Sequence, residues 1–178
     1  MENLIIRQVR DSDIGEIKNI VRAAFDRPGK DQYFNEWEFV DKVRNDSGFI
    51  PELCLVAISD NEIIGYILLS RALIGKNEGL ALGPLAVRPD CQRKGIGKRL
   101  IEHGIEKAKE YNFDWIALTG GDYYKQFGFE SALVYGIKLG YNHPENPYLK
   151  IKFLNTNKNV FGNMRFCDSF YDENGDLL

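Results

Sequence analysis

Residues 82–100, LGPLAVRPDCQRKGIGKRL from Leu82 to Leu100, carry a strand into a loop and the loop into a helix. Leu82, Leu85, Ala86 and Val87 give an apolar strand reading that stops at Pro89, whose ring fixes φ and removes a donor. A short basic loop, Gln92-Arg93-Lys94-Gly95-Ile96-Gly97, then opens directly into a helical pattern. The first N–H groups of a helix have no partner within it, and they sit at the positive end of its dipole. A glycine-rich approach to such an end is an anion site that suits a diphosphate. Arg88, Arg93, Lys94, Lys98 and Arg99 crowd the same place against Asp90 alone, in a chain with a formal net charge of −3.

Gly-x-Gly before a helix also serves where a loop must simply turn tightly. Two established phosphate motifs can be set aside. A P-loop needs a hydroxyl residue after the lysine, and Lys98 is followed by Arg99. The dinucleotide fingerprint needs a third Gly or Ala where this chain has Leu100. What remains, Gln-x-x-Gly-x-Gly after a strand, resembles the acyl-coenzyme A loop of the GNAT superfamily of N-acetyltransferases. That resemblance implies acetyl-coenzyme A as the cofactor, with no metal. Gln92, Arg93, Lys94, Gly95, Ile96, Gly97 and Lys98 would hold its pyrophosphate, mostly through backbone amides, with the Arg93 and Lys94 side chains as charge partners. Leu85, Ala86 and Val87 would bond the pantetheine arm through their backbone.

A second stretch fits the same resemblance. After a strand reading from Phe113 to Thr119 come Gly120, Gly121, Asp122, Tyr123 and Tyr124, and then Lys125-Gln126-Phe127-Gly128-Phe129. Tyr-x-x-Phe-Gly-Phe is similar to the family's second signature, a short helix carrying a tyrosine and a turn into the next strand. It would bring Tyr124 and Phe127 to the coenzyme. The two signatures span about residues 78–135, and the doubled tyrosine is most like a bacterial subgroup of N-acetyltransferases with Tyr-Tyr-x-x-Phe-Gly-Phe.

Composition limits the alternatives. A chain of 178 residues with 44% apolar and 28% charged residues is read as one globular domain, 1–178, with a tail, 155–178, that the pattern leaves poorly defined. No apolar run approaches the ~20 residues of a membrane span, and the first residues lack the pattern of a secretion signal. A pI of about 5.5 argues against nucleic acid. Cys54, Cys91 and Cys167 are odd in number and scattered, which suits free thiols in a reducing cytoplasm. His103 and His143 lack metal-ligand spacing.

The remaining pattern predicts a strand from Leu4 to Val9 and a helix with Ile14, Ile17, Val21 and Phe25 on one face. Asp13 would cap that helix with Glu16 in capping-box spacing, and it would stop before Pro28-Gly29. A second helix is expected around Trp37, Phe39, Val40 and Val43. A hairpin pairs Leu53–Ile58 with Ile63–Ser70 around Asp60-Asn61. Leu80–Arg88 would be the central strand and Gly95 to about Tyr111 a helix, with Gly97 and Gly104 letting it lie close to the sheet. Two more strands, Leu133–Leu139 and Tyr148–Leu154, flank a loop from Asn142 to Pro147. This order is α/β in three layers. The resemblance implies a mixed, mostly antiparallel sheet of about six to seven strands with a splayed central pair.

The implied reaction is direct attack of a primary amine on the acetyl thioester. An alkyl ammonium with pKa near 10.4 must lose a proton, at a cost of ~4–5 kcal/mol at neutral pH. The departing thiolate must be stabilised. Tyr124 is the candidate donor to sulfur, and Tyr123 its neighbouring rival. Full transfer from an ordinary tyrosine to a thiolate near pKa 8.5 is uphill by roughly 2 kcal/mol, so a hydrogen bond rather than full transfer is expected. Some family members carry a glutamate eleven residues before the loop glutamine, where this chain has Ala81. Glu78 is the substitute candidate base, Asp122 an alternative that could equally cap the short helix, and a water relay needs neither. Cys91 has no adjacent histidine and reads as structural. A non-catalytic acyl-coenzyme A sensor and a nucleotide-phosphate binder are the rival functions. The acceptor, a small-molecule or peptide amine, would be set by residues 25–50 and 140–178. These carry Phe25, Tyr33, Phe34, Trp37, Phe39, Tyr141 and Tyr148 with Glu36, Glu38 and Glu145. Dimerisation is common in the superfamily, which leaves a homodimer open.

Overall fold

A computed structural model describes residues 4–26, 36–140, 145–156 and 158–178. The expected helix stop at Pro28-Gly29, the aromatics Tyr33, Phe34 and Tyr141, and the loop residues Asn142 and His143 lie outside the described residues.

The hairpin expected at Asp60-Asn61 joins β2 (Cys54–Ser59) to β3 (Glu62–Ile74). Both turn residues have positive φ, 52° and 63°, as a type I′ turn requires. β3 returns through Gly75 and Lys76 into β4 (Asn77–Val87), and β1 (Ile5–Gln8) pairs with β2. Side chains alternate along β2: Leu55 and Ala57 pack on one face of the sheet, Cys54 and Val56 on the other. The first face is covered by α3 (Ile96–Glu110) through Ile96, Leu100, Ile101, Ile105 and Ala108. The second is covered by α1 (Ile14–Phe25) and α2 (Glu36–Arg44) through Ile17, Ile20, Val21, Phe39, Val40 and Val43. This is the expected three-layer arrangement.

α3 carries the chain to β5 (Trp115–Thr119), parallel to β4. The two strands pair only at Leu80–Ile116 and Ala81–Ala117, so beyond Ala81 the edge of β4 facing β5 is open. The splayed central pair is therefore present. β5 pairs on its far side with β8 (Leu149–Phe153), which also takes the two-residue β6 (Glu130–Ser131). The main path β1-β2-β3-β4-β5-β8-β6 has seven strands, and two more extend the sheet to nine. β9 (Gly162–Phe166) lies in the poorly read tail and pairs antiparallel with β3 along Ala72–Ile74, past the point where β2 ends. β7 (Ile137–Leu139) pairs parallel with β9.

Three local expectations need correction. Asp13 makes no cap bond to α1. Its carboxylate accepts two bonds from the Arg7 guanidinium, 2.6 and 3.0 Å, and one from the Arg10 amide, 2.7 Å. The Leu133–Leu139 strand is cut in half: Ala132–Tyr135 forms a 3-10 turn, closed by Gly136 at φ 68°, and only Ile137–Leu139 is extended. Gly104 does let α3 approach the sheet, since a Cβ there would stand 3.0 Å from Leu69. Gly97 does not: its Cβ would face the Tyr123 hydroxyl and Val87 instead.

Candidate active site

β4 ends at Val87, and Pro89 begins a 3-10 turn, Pro89–Cys91, in which the missing N–H costs nothing. Two left-handed residues follow, Arg93 at φ 60° and Gly95 at φ 82°. Left-handed residues beside ordinary ones turn successive N–H groups toward one concavity. The first bond of α3 runs from the Arg99 amide to the Gly95 carbonyl. Among the described residues no acceptor takes the amides of Arg93, Lys94, Gly95, Ile96, Gly97 or Lys98. The side chains brace the loop from outside. Gln92 Nε2 donates to the Val87 carbonyl at 3.0 Å, and Lys94 Nζ to the Asp90 carbonyl at 2.8 Å.

Two of the five cations of the cluster, Arg88 and Lys98, are paired with carboxylates within the fold. Arg88 is bound by Asp90 and Glu62, Lys98 stands 3.8 Å from Glu102, and Arg99 reaches the Leu4 carbonyl. Arg93 has no carboxylate partner among the described residues, and it lines the cavity that the loop opens onto. Lys94, the other expected charge partner, does not line it, because its ammonium is turned back onto Asp90.

That cavity has a volume of about 590 Å³. Its walls are the loop (Gln92, Arg93, Gly95, Ile96, Gly97, Lys98), the β4 end (Leu85, Val87), the end of α1 (Ala24, Phe25), Cys91, and Tyr123, Tyr124 and Gln126. The sequence-derived candidates Leu85, Val87, Gln92, Arg93, Gly95, Ile96, Gly97, Lys98 and Tyr124 are thus brought together. Ala86 turns its side chain into the core beneath α1, leaving only its backbone at the open edge. Phe127 is not part of the wall and packs edge-on against Tyr123, with ring centroids 5.5 Å apart. Donor-rich loop, open strand edge and a cavity of this size together fit a coenzyme with a diphosphate, an amide-bearing arm and a thioester.

Tyr124 sits in the 3-10 helix Asp122–Phe127, which ends at Gly128 with φ 80°. Its ring lies over Gly120, where a Cβ would come within 2.7 Å of it, and meets Phe129 edge-on at 6.0 Å. Burial pushes the phenol up to about 12, with Tyr123 adding to the rise. Its hydroxyl makes no hydrogen bond among the described residues, and the residue lines the cavity. Tyr123 is more exposed and lies across Gly97, at the loop rather than beside the strand opening.

The candidate bases do not join it. Glu78 is ion-paired with Arg71 and lines a different cavity of about 220 Å³ with Asp46, Cys167 and Asp168. It begins β4, about 23 Å along the strand from Leu85 at ~3.3 Å per residue. Asp122 neither caps the short helix nor faces the cavity. It pairs with Lys125 at 3.0 Å, which holds its carboxyl below the usual range, and with the buried Lys150 at 3.7 Å. Ala81 is enclosed in the core. No group of His, Cys, Asp and Glu with metal-binding geometry occurs among the described residues, and all three cysteines are free.

A second cavity of about 210 Å³ shares Phe25, Leu85 and Tyr124 with the first. Leu82, Gly83, Pro84 and Thr119 form its floor, Glu36 and Phe39 come from α2, and Phe170, Leu177 and Leu178 from the tail. Sequence reading singled out the segments but not Phe170 or Leu177, since no motif marks residues whose only role is to converge from a distance.

The sequence model of the Acetyltransferase (GNAT) family matches residues 15–129. An uncharacterized N-acetyltransferase of Escherichia coli K12, YjhQ, is 32% identical over 124 residues, 67% of this chain and 65% of that protein. The chain thus spans slightly under two thirds of that relative. A GNAT family acetyltransferase from Brucella melitensis, solved in complex with acetyl-CoA, is 29% identical with a TM-score of 0.76, covering 96% of this chain and 99% of that one. The E. coli GNAT family N-acetyltransferase YhbS, solved with CoA, shares the fold at a TM-score of 0.82 and 22% identity, covering 94% and 91%.

Proposed function

Because the chain belongs to the GNAT family of acetyltransferases, we propose that it moves an acetyl group from acetyl-coenzyme A to a primary amine by direct attack. One observation carries this reading: the loop 93–98, whose six amides have no acceptor among the described residues, opens onto the cavity that Tyr124 also lines. The diphosphate sits on the amides of residues 93–98, with Arg93 as its side-chain cation. The pantetheine arm runs along the open edge of β4 at Leu85–Val87, which delivers the thioester toward Tyr124.

The amine lone pair attacks the thioester carbon, the C–S bond breaks, and the sulfur leaves as a thiolate. With the phenol pushed up to about 12, full transfer of its proton to a thiolate near 8.5 is uphill by about 5 kcal/mol. Tyr124 therefore acts as a hydrogen-bond donor to the developing charge, and solvent protonates the thiolate afterwards. The amine proton passes to water. Glu78 is too distant to take it, and Cys91 plays no covalent part, so an acetyl-cysteine intermediate does not form. A passive coenzyme sensor is not favoured, since it has no use for an unbonded phenol at the thioester. Three free thiols suit a reducing cytoplasm.

Calorimetry with acetyl-coenzyme A and thiol release in the presence of amines test the proposal. Micromolar binding with amine-dependent release supports it. Binding with no release from any amine would leave the sensor.

A further inference from the structure

Gly97 has no positive φ, unlike Gly95, and it does not bring α3 to the sheet, so neither backbone conformation nor packing explains a glycine there. In a helix it also gives up propensity of up to ~1 kcal/mol relative to alanine. What the missing side chain leaves open is the space in front of the Tyr123 hydroxyl. An added Cβ would stand 3.4 Å from that oxygen and 3.7 Å from Val87. The phenol is steadied by its neighbours. Its ring meets Tyr124 and Phe127 edge-on, both at 5.5 Å, and the Tyr123 carbonyl accepts from Gln126 Nε2 at 2.9 Å. The Tyr123 hydroxyl itself makes no hydrogen bond among the described residues. Tyr123 lines only the larger cavity, whereas Tyr124 lines both, the smaller being the space left for the acceptor.

We propose that Tyr123 binds the coenzyme, its hydroxyl donating to the diphosphate from across the loop. The inference rests on the transferase reading above and adds a residue to its coenzyme site. A phosphate oxygen held by the free amides around Gly97 comes within reach of the phenol, and an O–H···O⁻ bond is short and charge-assisted. Burial, and after it the Glu102 carboxylate, raise the phenol, so it stays protonated and a donor at neutral pH. Glu102 stands 3.8 Å from Lys98, which offsets its charge beside the diphosphate. Because the ring is already held by its neighbours, little freedom is lost in making the bond. A side chain at position 97 would take the place of that oxygen, which accounts for the glycine. The adjacent tyrosines thus divide the coenzyme between them: Tyr123 holds its phosphates and Tyr124 meets its sulfur.

The test is calorimetry with acetyl-coenzyme A, together with its displacement by ADP, which carries a diphosphate without the pantetheine arm. Tyr123→Phe keeps the ring and removes only the hydroxyl, so Tm should hardly move. We expect it to weaken acetyl-coenzyme A at least 5-fold, about 1 kcal/mol, and ADP by a similar factor. Tyr124→Phe should change neither affinity by more than about twofold. An unchanged acetyl-coenzyme A affinity in Tyr123→Phe overturns the inference while leaving the transferase standing. So does a weakened acetyl-coenzyme A with the same ADP displacement in variant and wild type, because the hydroxyl would then serve the arm and not the diphosphate. Failure of acetyl-coenzyme A to bind the wild-type protein overturns the transferase reading itself.

Discussion

The two halves of the proposed site are built on opposite plans. The coenzyme half comes from one continuous run, β4 through the loop into α3, and its working groups are main-chain amides. The acceptor half is assembled from α1, α2, the cis Gly83–Pro84 segment and the tail, and its working groups are side chains. Backbone donors are identical in every sequence, so a chain can use them only by fixing the conformation that presents them. That leaves a compact motif of glycines and a bracing glutamine. A side-chain wall demands only shape and polarity from residues scattered across more than 140 positions, and it leaves no motif. The first plan keeps a ligand constant, and the second lets the acceptor vary.

The sharpest break in this comparison is Gly97→Glu. A Cβ at Gly97 has room, its nearest neighbours being the Tyr123 hydroxyl at 3.4 Å and Val87 at 3.7 Å. The damage comes from a carboxylate filling the diphosphate position. We expect acetyl-coenzyme A affinity by calorimetry to fall more than ~100-fold, a loss above about 2.7 kcal/mol. Arg93→Ala, which leaves the amides alone, should cost only a few-fold, within the ~0.2–1 kcal/mol of an exposed charge. If Arg93→Ala were the more damaging change, the backbone plan would be wrong.

Tyr124 belongs to both cavities, and its removal tests the chemistry between them. Tyr124→Phe should lower kcat by ~10²-fold while leaving coenzyme affinity within about twofold. The sign of the pH dependence follows from burial. A phenol pushed up to about 12 keeps its proton through the alkaline range. The wild-type rate should therefore rise as the free amine fraction grows and show no fall between pH 8 and 10. A descending limb near pH 10 would mean that Tyr124 is not the donor. Gly120→Ala is the smaller version of the same test. Its Cβ would press within 2.7 Å of the Tyr124 ring and 2.9 Å of Leu118. We expect about a tenfold loss in kcat from a phenol displaced by a few tenths of an ångström.

Legibility followed the same division. The loop, α3, the β2–β3 hairpin and Tyr124 were all readable, because each depends on neighbours within one turn or one strand. The Asp13 cap was misread because a carboxylate at a helix start can satisfy a nearby guanidinium as well as an amide, and Arg7, six residues back in β1, reaches it. Glu78 looked usable because sequence distance along β4 hides the ~23 Å that an extended chain covers in seven residues. Lys94 looked like a phosphate ligand until its ammonium was seen to close the loop through Asp90. The tail escaped altogether. β9 has five residues, and its role depends on the bare edge of β3 that β2 leaves behind.

That tail gives the mildest test, and one that separates the halves cleanly. Asp46, just past α2, accepts bonds from the Ser169 amide and hydroxyl at 2.8 and 2.7 Å and from the Gly48 amide at 2.7 Å. These bonds pin the 3-10 turn Asp168–Phe170 against α2 and so set Phe170 in the acceptor wall. Burial pushes the Asp46 carboxyl up, but the donors from Gly48 and Ser169 together outweigh it, and the group titrates below its usual value. A carboxyl with a lowered folded value stabilises the structure fully above the unfolded value of about 3.9, and that contribution is lost as pH falls through the folded value. Acid should therefore loosen the acceptor wall. Asp46→Ala should reproduce this at neutral pH, raising amine KM a few-fold and lowering Tm by several degrees for the ~1.5–3 kcal/mol of bonds to a charged acceptor. Acetyl-coenzyme A affinity should not change, because no residue of the loop or of the β4 end touches Asp46 or Ser169. Equal loss of both affinities would show that the halves are mechanically one unit, and the division between a fixed coenzyme site and a variable acceptor wall would fail.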